Sequence, residues 1–179
     1  MTQINLGVII GSVRLNRATI RPAKAFIQQA ENQFKTLITL DLLNLDLPMY
    51  DESHPKVEQK FLEAIKPCEA LILIFPEYNY RPSPAILNAL DYFRNYELKN
   101  KVLGLISVSN GNFGGVRAQM VMRASLPTFG CYLTSNTVTI QNVNKTFPLE
   151  GENDPIYKEK FQKLIEEVIQ LTSKLNPKL

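Results

Sequence analysis

The chain has 179 residues, 45% of them apolar, which is enough for one domain with a full core. A formal net charge of +3 is too weak to imply a nucleic-acid or anionic-membrane partner. No apolar run approaches the ~20 residues of a spanning helix, and the N-terminus runs into a strand-like segment without a charged leader, so the expected location is cytoplasmic.

Gln3 to Ile10 reads as a first strand, with Ile4, Leu6, Val8, Ile9 and Ile10 apolar. The polar, basic turn Gly11-Ser12-Val13-Arg14-Leu15-Asn16-Arg17 follows. A helix is then expected from about Thr19 to Asn32, with Ile20, Ala23, Phe26, Ile27 and Ala30 at helical spacing. Phe34 to Leu43 reads as a second strand, Asp46 to Pro55 as a loop and Val57 to Ile65 as a short helix. Glu69 to Phe75 is almost wholly apolar, the mark of a parallel strand buried on both faces. It leads into a proline-stiffened loop, Pro76 to Pro84, and a helix from Ala85 to Tyr96. Lys101 to Val108 is a fourth strand, Ser109 to Gly115 a glycine-rich loop, and Val116 to Leu126 a helix with Gly130 suited to its C-terminal turn. Tyr132 to Gln141, rich in β-branched residues, reads as one fifth strand. Residues 142–153 read as irregular, and Asp154-Pro155 as the cap and first-turn proline of a last helix to about Lys174.

Five strand–helix alternations predict a parallel sheet with helices on both faces, one domain over 1–179. Right-handed crossovers favour the strand order 2-1-3-4-5. That order brings three loops to the carboxyl edge of the sheet, where open α/β folds bind ligands: 11–17, 76–84 and 109–115.

Each loop admits two readings. The first is a phosphate cradle built from a helix N-terminus and two arginine forks, or a basic turn whose arginines point to solvent. It has neither G-x-G-x-x-G nor the G-x-x-x-x-G-K-[ST] of NTPases, since Gly11 stands alone. The second presents an aromatic ring, an amide and a carboxylate to a flat ligand, or is a structural turn with Tyr78 in the core. The third lets backbone approach a ligand closely, or is a surface turn. Together they describe a site for a phosphorylated aromatic ring system. Cys68 and Cys131 read as buried free thiols, and His54, the only histidine, as a surface residue, which excludes a histidine-rich metal centre. No catalytic triad or carboxylate pair is visible.

The motifs resemble those of the NADPH-dependent FMN reductase family of flavodoxin-like proteins. They are Gly11-Ser12-Val13-Arg14, Pro76-Glu77-Tyr78-Asn79, Asn88-Ala89-Leu90-Asp91 and Gly114-Gly115-Val116-Arg117-Ala118, in order along nearly the whole chain. The resemblance implies a flavodoxin-like three-layer sandwich that binds FMN. Ser12, Arg14, Arg17, Ala18 and Thr19 would hold the phosphate. Pro76, Glu77, Tyr78 and Asn79 would line the ring and ribityl, and Ser109, Asn110, Gly111 and Gly114 the pyrimidine side. It further implies ping-pong hydride transfer from NADPH or NADH through flavin N5 to a small-molecule acceptor such as a quinone or flavin, with no catalytic side chain. A homodimer or homotetramer is expected, with Tyr92, Phe93 and Tyr96 as interface aromatics. The chain departs from the family pattern at Arg17-Ala18-Thr19, at Arg81-Pro82 and at Leu87. The rival is a flavodoxin-type electron carrier, usually acidic and with a Thr/Ser-rich phosphate loop, where this chain is basic and uses arginines.

Overall fold

The structure is a computed structural model that describes residues 2–51, 53–94 and 96–177. Glu52 of the expected loop, Asn95 of the expected helix and residues 1, 178 and 179 of the expected domain lie outside the described residues. Strand β1 (Asn5–Ile10) pairs in parallel with β2 (Thr36–Asp41) on one side and with β3 (Ala70–Tyr78) on the other. β3 in turn pairs in parallel with β5 (Val102–Val108), while β4 (Arg81–Pro82) folds back antiparallel on the end of β3. The fifth position is shared by two short strands, β6 (Tyr132–Leu133) and β7 (Val138–Ile140), both parallel to β5. The order 2-1-3-4-5 therefore stands, with the last strand divided and an antiparallel hairpin added to the central one.

The sheet is buried on both faces, and the period-two alternation of β3 shows how. Ala70, Ile72 and Ile74 face α1 (Ile20–Ala30) and the long C-terminal helix Ile156–Leu175, in a cluster with Phe26, Phe161, Leu164 and Val168. Leu71, Leu73 and Phe75 face the other layer, with Phe61, Ile86, Leu90, Ala118 and Met122. That layer is built from Pro55–Ile65, Pro84–Asp91 and Val116–Ser125. Each fully buried aliphatic side chain contributes about 1.5–3 kcal/mol, so a central strand with no polar face is the strongest local determinant of this architecture. Among the described residues no helix is long and apolar enough to cross a membrane.

Helices are numbered in chain order, with Leu42–Leu45 as α2, Pro55–Ile65 as α3, Pro84–Asp91 as α4, Val116–Ser125 as α5, Val143–Thr146 as α6 and Ile156–Leu175 as α7. Further expectations change. The second strand stops at Asp41, whose carboxylate accepts the Leu43 N–H at 3.1 Å and caps α2. The segment 142–153 contains α6. Helix α4 ends at Asp91, short of Tyr96. Tyr92 and Phe93 are buried within the chain, where the Tyr92 hydroxyl donates to the Pro48 carbonyl at 2.9 Å and Phe93 stacks on Phe61. They cannot serve as interface aromatics, and of the three only Tyr96 is exposed.

Candidate active site

The expected loop at Pro76 is an extension of the central strand. Pro76 pairs with Val108 on the last rung of the parallel ladder, where a missing N–H costs little. Glu77 and Tyr78 then pair with Pro82 and Arg81. Asn79 and Tyr80 close this hairpin with φ of 48° and 63°, both left-handed, the backbone of a two-residue type I′ turn. Asparagine tolerates that region; tyrosine adopts it at some cost. Its ring lies under the Arg117 guanidinium, 4.6 Å from the centroid.

The loop after β1 is packed tightly behind this wall. A Cβ on Gly11 would meet Ile86 Cβ at 2.7 Å, so only glycine lets the chain pass the start of α4. The Ser83 hydroxyl donates to the Gly11 carbonyl and accepts the Ile86 N–H, which joins the loop to the helix. Ser12 is buried, with its hydroxyl 3.2 Å from that of Tyr78. Arg17 Nη1 donates to the Ser12 carbonyl at 2.9 Å, and Nη2 pairs with Asp41. Arg14 is exposed and sits over the Tyr78 ring, 5.6 Å from its centroid.

Two clefts meet at Arg14, Glu77 and Tyr78. One, of about 440 Å³, is lined by Arg14, Arg17, Ala18, Thr19, Pro76, Glu77, Tyr78, Ser109, Asn110 and Gly111. The other, of about 740 Å³, runs along the hairpin and α4, with Asn79, Arg81, Pro82, Leu87 and Met49 in its walls. Most of the expected site residues thus share the first cleft. Asn79 belongs to the second. Ser12 lies behind the wall, and Gly114 (φ 60°) packs against β7, where a Cβ would meet the Thr139 carbonyl carbon at 2.8 Å. Glu77 turns partly away, its Oε2 accepting the Ala118 N–H in the first turn of α5 at 2.9 Å.

Sequence reasoning missed Asn16, Val108, Val143 and Asn144, which complete the first cleft. Asn144 accepts from Arg21 Nη2 at 2.5 Å and Val143 N–H donates to the Ser109 carbonyl at 3.1 Å. The usable signal was Asn142, which starts α6 in a left-handed conformation right after a strand.

A further cavity of about 670 Å³ lies beneath the opposite edge of the sheet, lined by Leu62, Ile65, Tyr96, Glu97 and Lys101. It holds none of the expected site residues. Several of its charged groups are already engaged: Arg94 with Glu58 at 3.1 Å, Lys101 with the Lys66 and Cys68 carbonyls. Burial there lowers the Lys101 pKa. Cys68 and Cys131 are free and buried, and burial pushes both thiols up to about 11.

Residues 4–145 match the family described as NADPH-dependent FMN reductase. The NADPH azoreductase of Bacillus sp. strain OY1-2 is 33% identical over 127 residues, 69% of this chain and 68% of that protein. An NAD(P)H-dependent FMN reductase of Pseudomonas aeruginosa is 26% identical over 156 residues, 82% of this chain and 83% of that one. Among solved structures, the flavoenzyme NAD(P)H:(acceptor) oxidoreductase of Paracoccus denitrificans superposes with a TM-score of 0.81 at 24% identity, covering 96% of this chain and 98% of that one. That likeness establishes the fold, and the match over 142 of the 179 positions establishes the lineage. The chain belongs to the NADPH-dependent FMN reductase family of oxidoreductases.

Proposed function

We propose that this protein is an FMN-dependent NAD(P)H oxidoreductase that passes two electrons to quinones, flavins or similar small acceptors. The observation that carries the reading is the pair of clefts sharing Arg14, Glu77 and Tyr78, one polar and basic, the other walled by a hairpin and a helix. The polar cleft fits the phosphate of FMN. Arg17 Nε lies buried without a hydrogen-bond partner among the described residues, and the Thr19 side chain caps no N–H at the start of α1. A phosphate supplies acceptors for both. When bound, FMN supplies the two-electron hydride chemistry.

The chain's residues then position and exclude. Arg14, Arg17, Ala18 and Thr19 hold the phosphate, Pro76 and Tyr78 flank the ring, and Ser109, Asn110 and Gly111 meet its pyrimidine side. Ser12 steadies Tyr78. The wider cleft receives the nicotinamide and the acceptor in turn, a ping-pong order that needs alignment more than acid–base help. A cytoplasmic setting belongs to the same reading.

The test is anaerobic titration of FMN-loaded protein with NADPH and NADH, followed by turnover with a quinone. Flavin bleaching by at least one nicotinamide and reoxidation by quinone are expected. Arg14→Ala should weaken FMN by roughly 1.5–3 kcal/mol, the scale of a charged hydrogen bond, and hardly affect riboflavin. Loaded protein that neither nicotinamide reduces, but that exchanges electrons with a protein donor, is an electron carrier and the reading fails.

A further inference from the structure

Asp41 ends β2, a strand that carries none of the cleft's lining residues. Its Oδ1 accepts the Leu43 N–H at 3.1 Å, and its Oδ2 pairs with Arg17 Nη2. Both side chains are withdrawn from water, at 6% exposure for Arg17 and 13% for Asp41. With Nη1 on the Ser12 carbonyl, two of the three guanidinium nitrogens are committed to protein. The third, Nε, is buried and unpartnered among the described residues, on a side chain that lines the polar cleft. A guanidinium is planar and rigid, so fixing Nη1 and Nη2 fixes the direction of Nε–H.

We propose that Asp41 is a positioning residue for the anionic end of the cofactor: it aims the Nε–H of Arg17 at the phosphate and so sets the discrimination between FMN and its unphosphorylated form. The proposal rests on the FMN reading of the site. Simple electrostatics predicts the opposite sign, because a carboxylate near a phosphate repels it and its removal should tighten binding. The sign of one substitution therefore separates aiming from bulk charge.

The experiment measures FMN and riboflavin dissociation constants by flavin-fluorescence quenching on the full chain, for wild type, Asp41→Asn, Arg17→Lys and the double variant. Asp41→Asn should weaken FMN about 10-fold or more, the scale of one charge-assisted hydrogen bond, and riboflavin by less than about twofold. The double variant should be no worse than Arg17→Lys alone, since both act through one fork. Should Asp41→Asn not fold, Asp41→Glu gives the same readout by displacing the carboxylate one methylene. FMN affinity unchanged or raised in the Asp41 variant overturns the proposal. So does an equal loss for the two flavins, which marks Asp41 as loop scaffold only. Wild type that binds neither flavin defeats the functional reading itself, whereas FMN binding that is indifferent to Asp41 defeats this inference alone.

Discussion

Glu77 leaves the end of the central strand and reaches the first turn of α5, where it takes up a backbone N–H that the helix cannot satisfy. The fit is close. Gly115 carries φ 83°, and a Cβ there would meet Ser107 Cβ at 2.9 Å and Glu77 Cβ at 3.3 Å. A carboxylate at a helix N-terminus also meets the positive end of the dipole. Two substitutions separate these contributions in the unliganded protein. Glu77→Gln removes the charge and should cost about 0.3–1 kcal/mol. Glu77→Ala leaves the buried Ala118 N–H without an acceptor and should cost about 1–3 kcal/mol. Urea unfolding measures both, and an Ala variant more stable than the Gln variant would contradict this role. In the sequence Glu77 reads as a carboxylate presented to a flat ligand; its partner lies 41 positions along the chain, beyond the reach of any local pattern.

The divided fifth strand shows the same limit for elements. Residues 132–141 have the β-branched richness of one continuous strand. Between β6 and β7, however, the N–H groups of Ser135 and Asn136 turn out to the Glu167 carboxylate of α7, at 2.8 and 2.7 Å, and Thr134 bonds back to the Asn136 carbonyl. Partial burial raises the Glu167 pKa, but the bonds from Ser135 and Asn136 outweigh it and the net shift is downward. A carboxyl with a lowered folded pKa adds stability above the ordinary glutamate value of about 4.3 and loses it as pH falls through the folded value. Glu167→Gln should therefore be less stable than wild type at neutral pH, with the gap closing as the solution is acidified below that range. Thermal unfolding across pH 3–7 reads it; a constant gap would remove the linkage. The strands and helices that were legible, β1, β3, α1 and α7 above all, are those whose apolar spacing is decided by burial alone. The hairpin at Asn79–Tyr80 was not, because Pro76 reads as a stop until its place on the last rung is known.

At the scale of the molecule, the edge that gathers the expected loops followed from the alternation of strands and helices, and the first cleft is lined by loops after three of the strands. Its fourth wall, α6, has no periodicity to announce it. Of the aromatics expected at an interface between copies, Tyr92 and Phe93 are buried within the chain, but Tyr96 and other rings are exposed. Tyr80 and Phe113 are each about two-thirds exposed, with Arg117 over both rings, and Met120 and Val121 continue the surface along α5. Apolar clusters of this kind suit the centre of an interface. Light scattering at micromolar concentration should give a dimer or tetramer, and Met120→Glu should shift it toward monomer; a monomeric wild type would end this expectation. The continuity of β3 has one more consequence. Ala70 to Tyr78 is a single strand, so the backbone that walls both clefts is the backbone at the centre of the sheet. Amide exchange should accordingly be slowest at Ile72 and Ile74, inside the parallel ladder, and faster at Glu77 beyond its last rung. The loop 109–114 is held from outside that strand: the Ser109 N–H donates to the Ile140 carbonyl at 3.0 Å, and the Asn142 N–H donates to the Gly111 carbonyl at 3.1 Å. The first cleft therefore has one wall continuous with the centre of the sheet and another held by hydrogen bonds to β7 and α6, and amide exchange in the unliganded protein should be faster in the second.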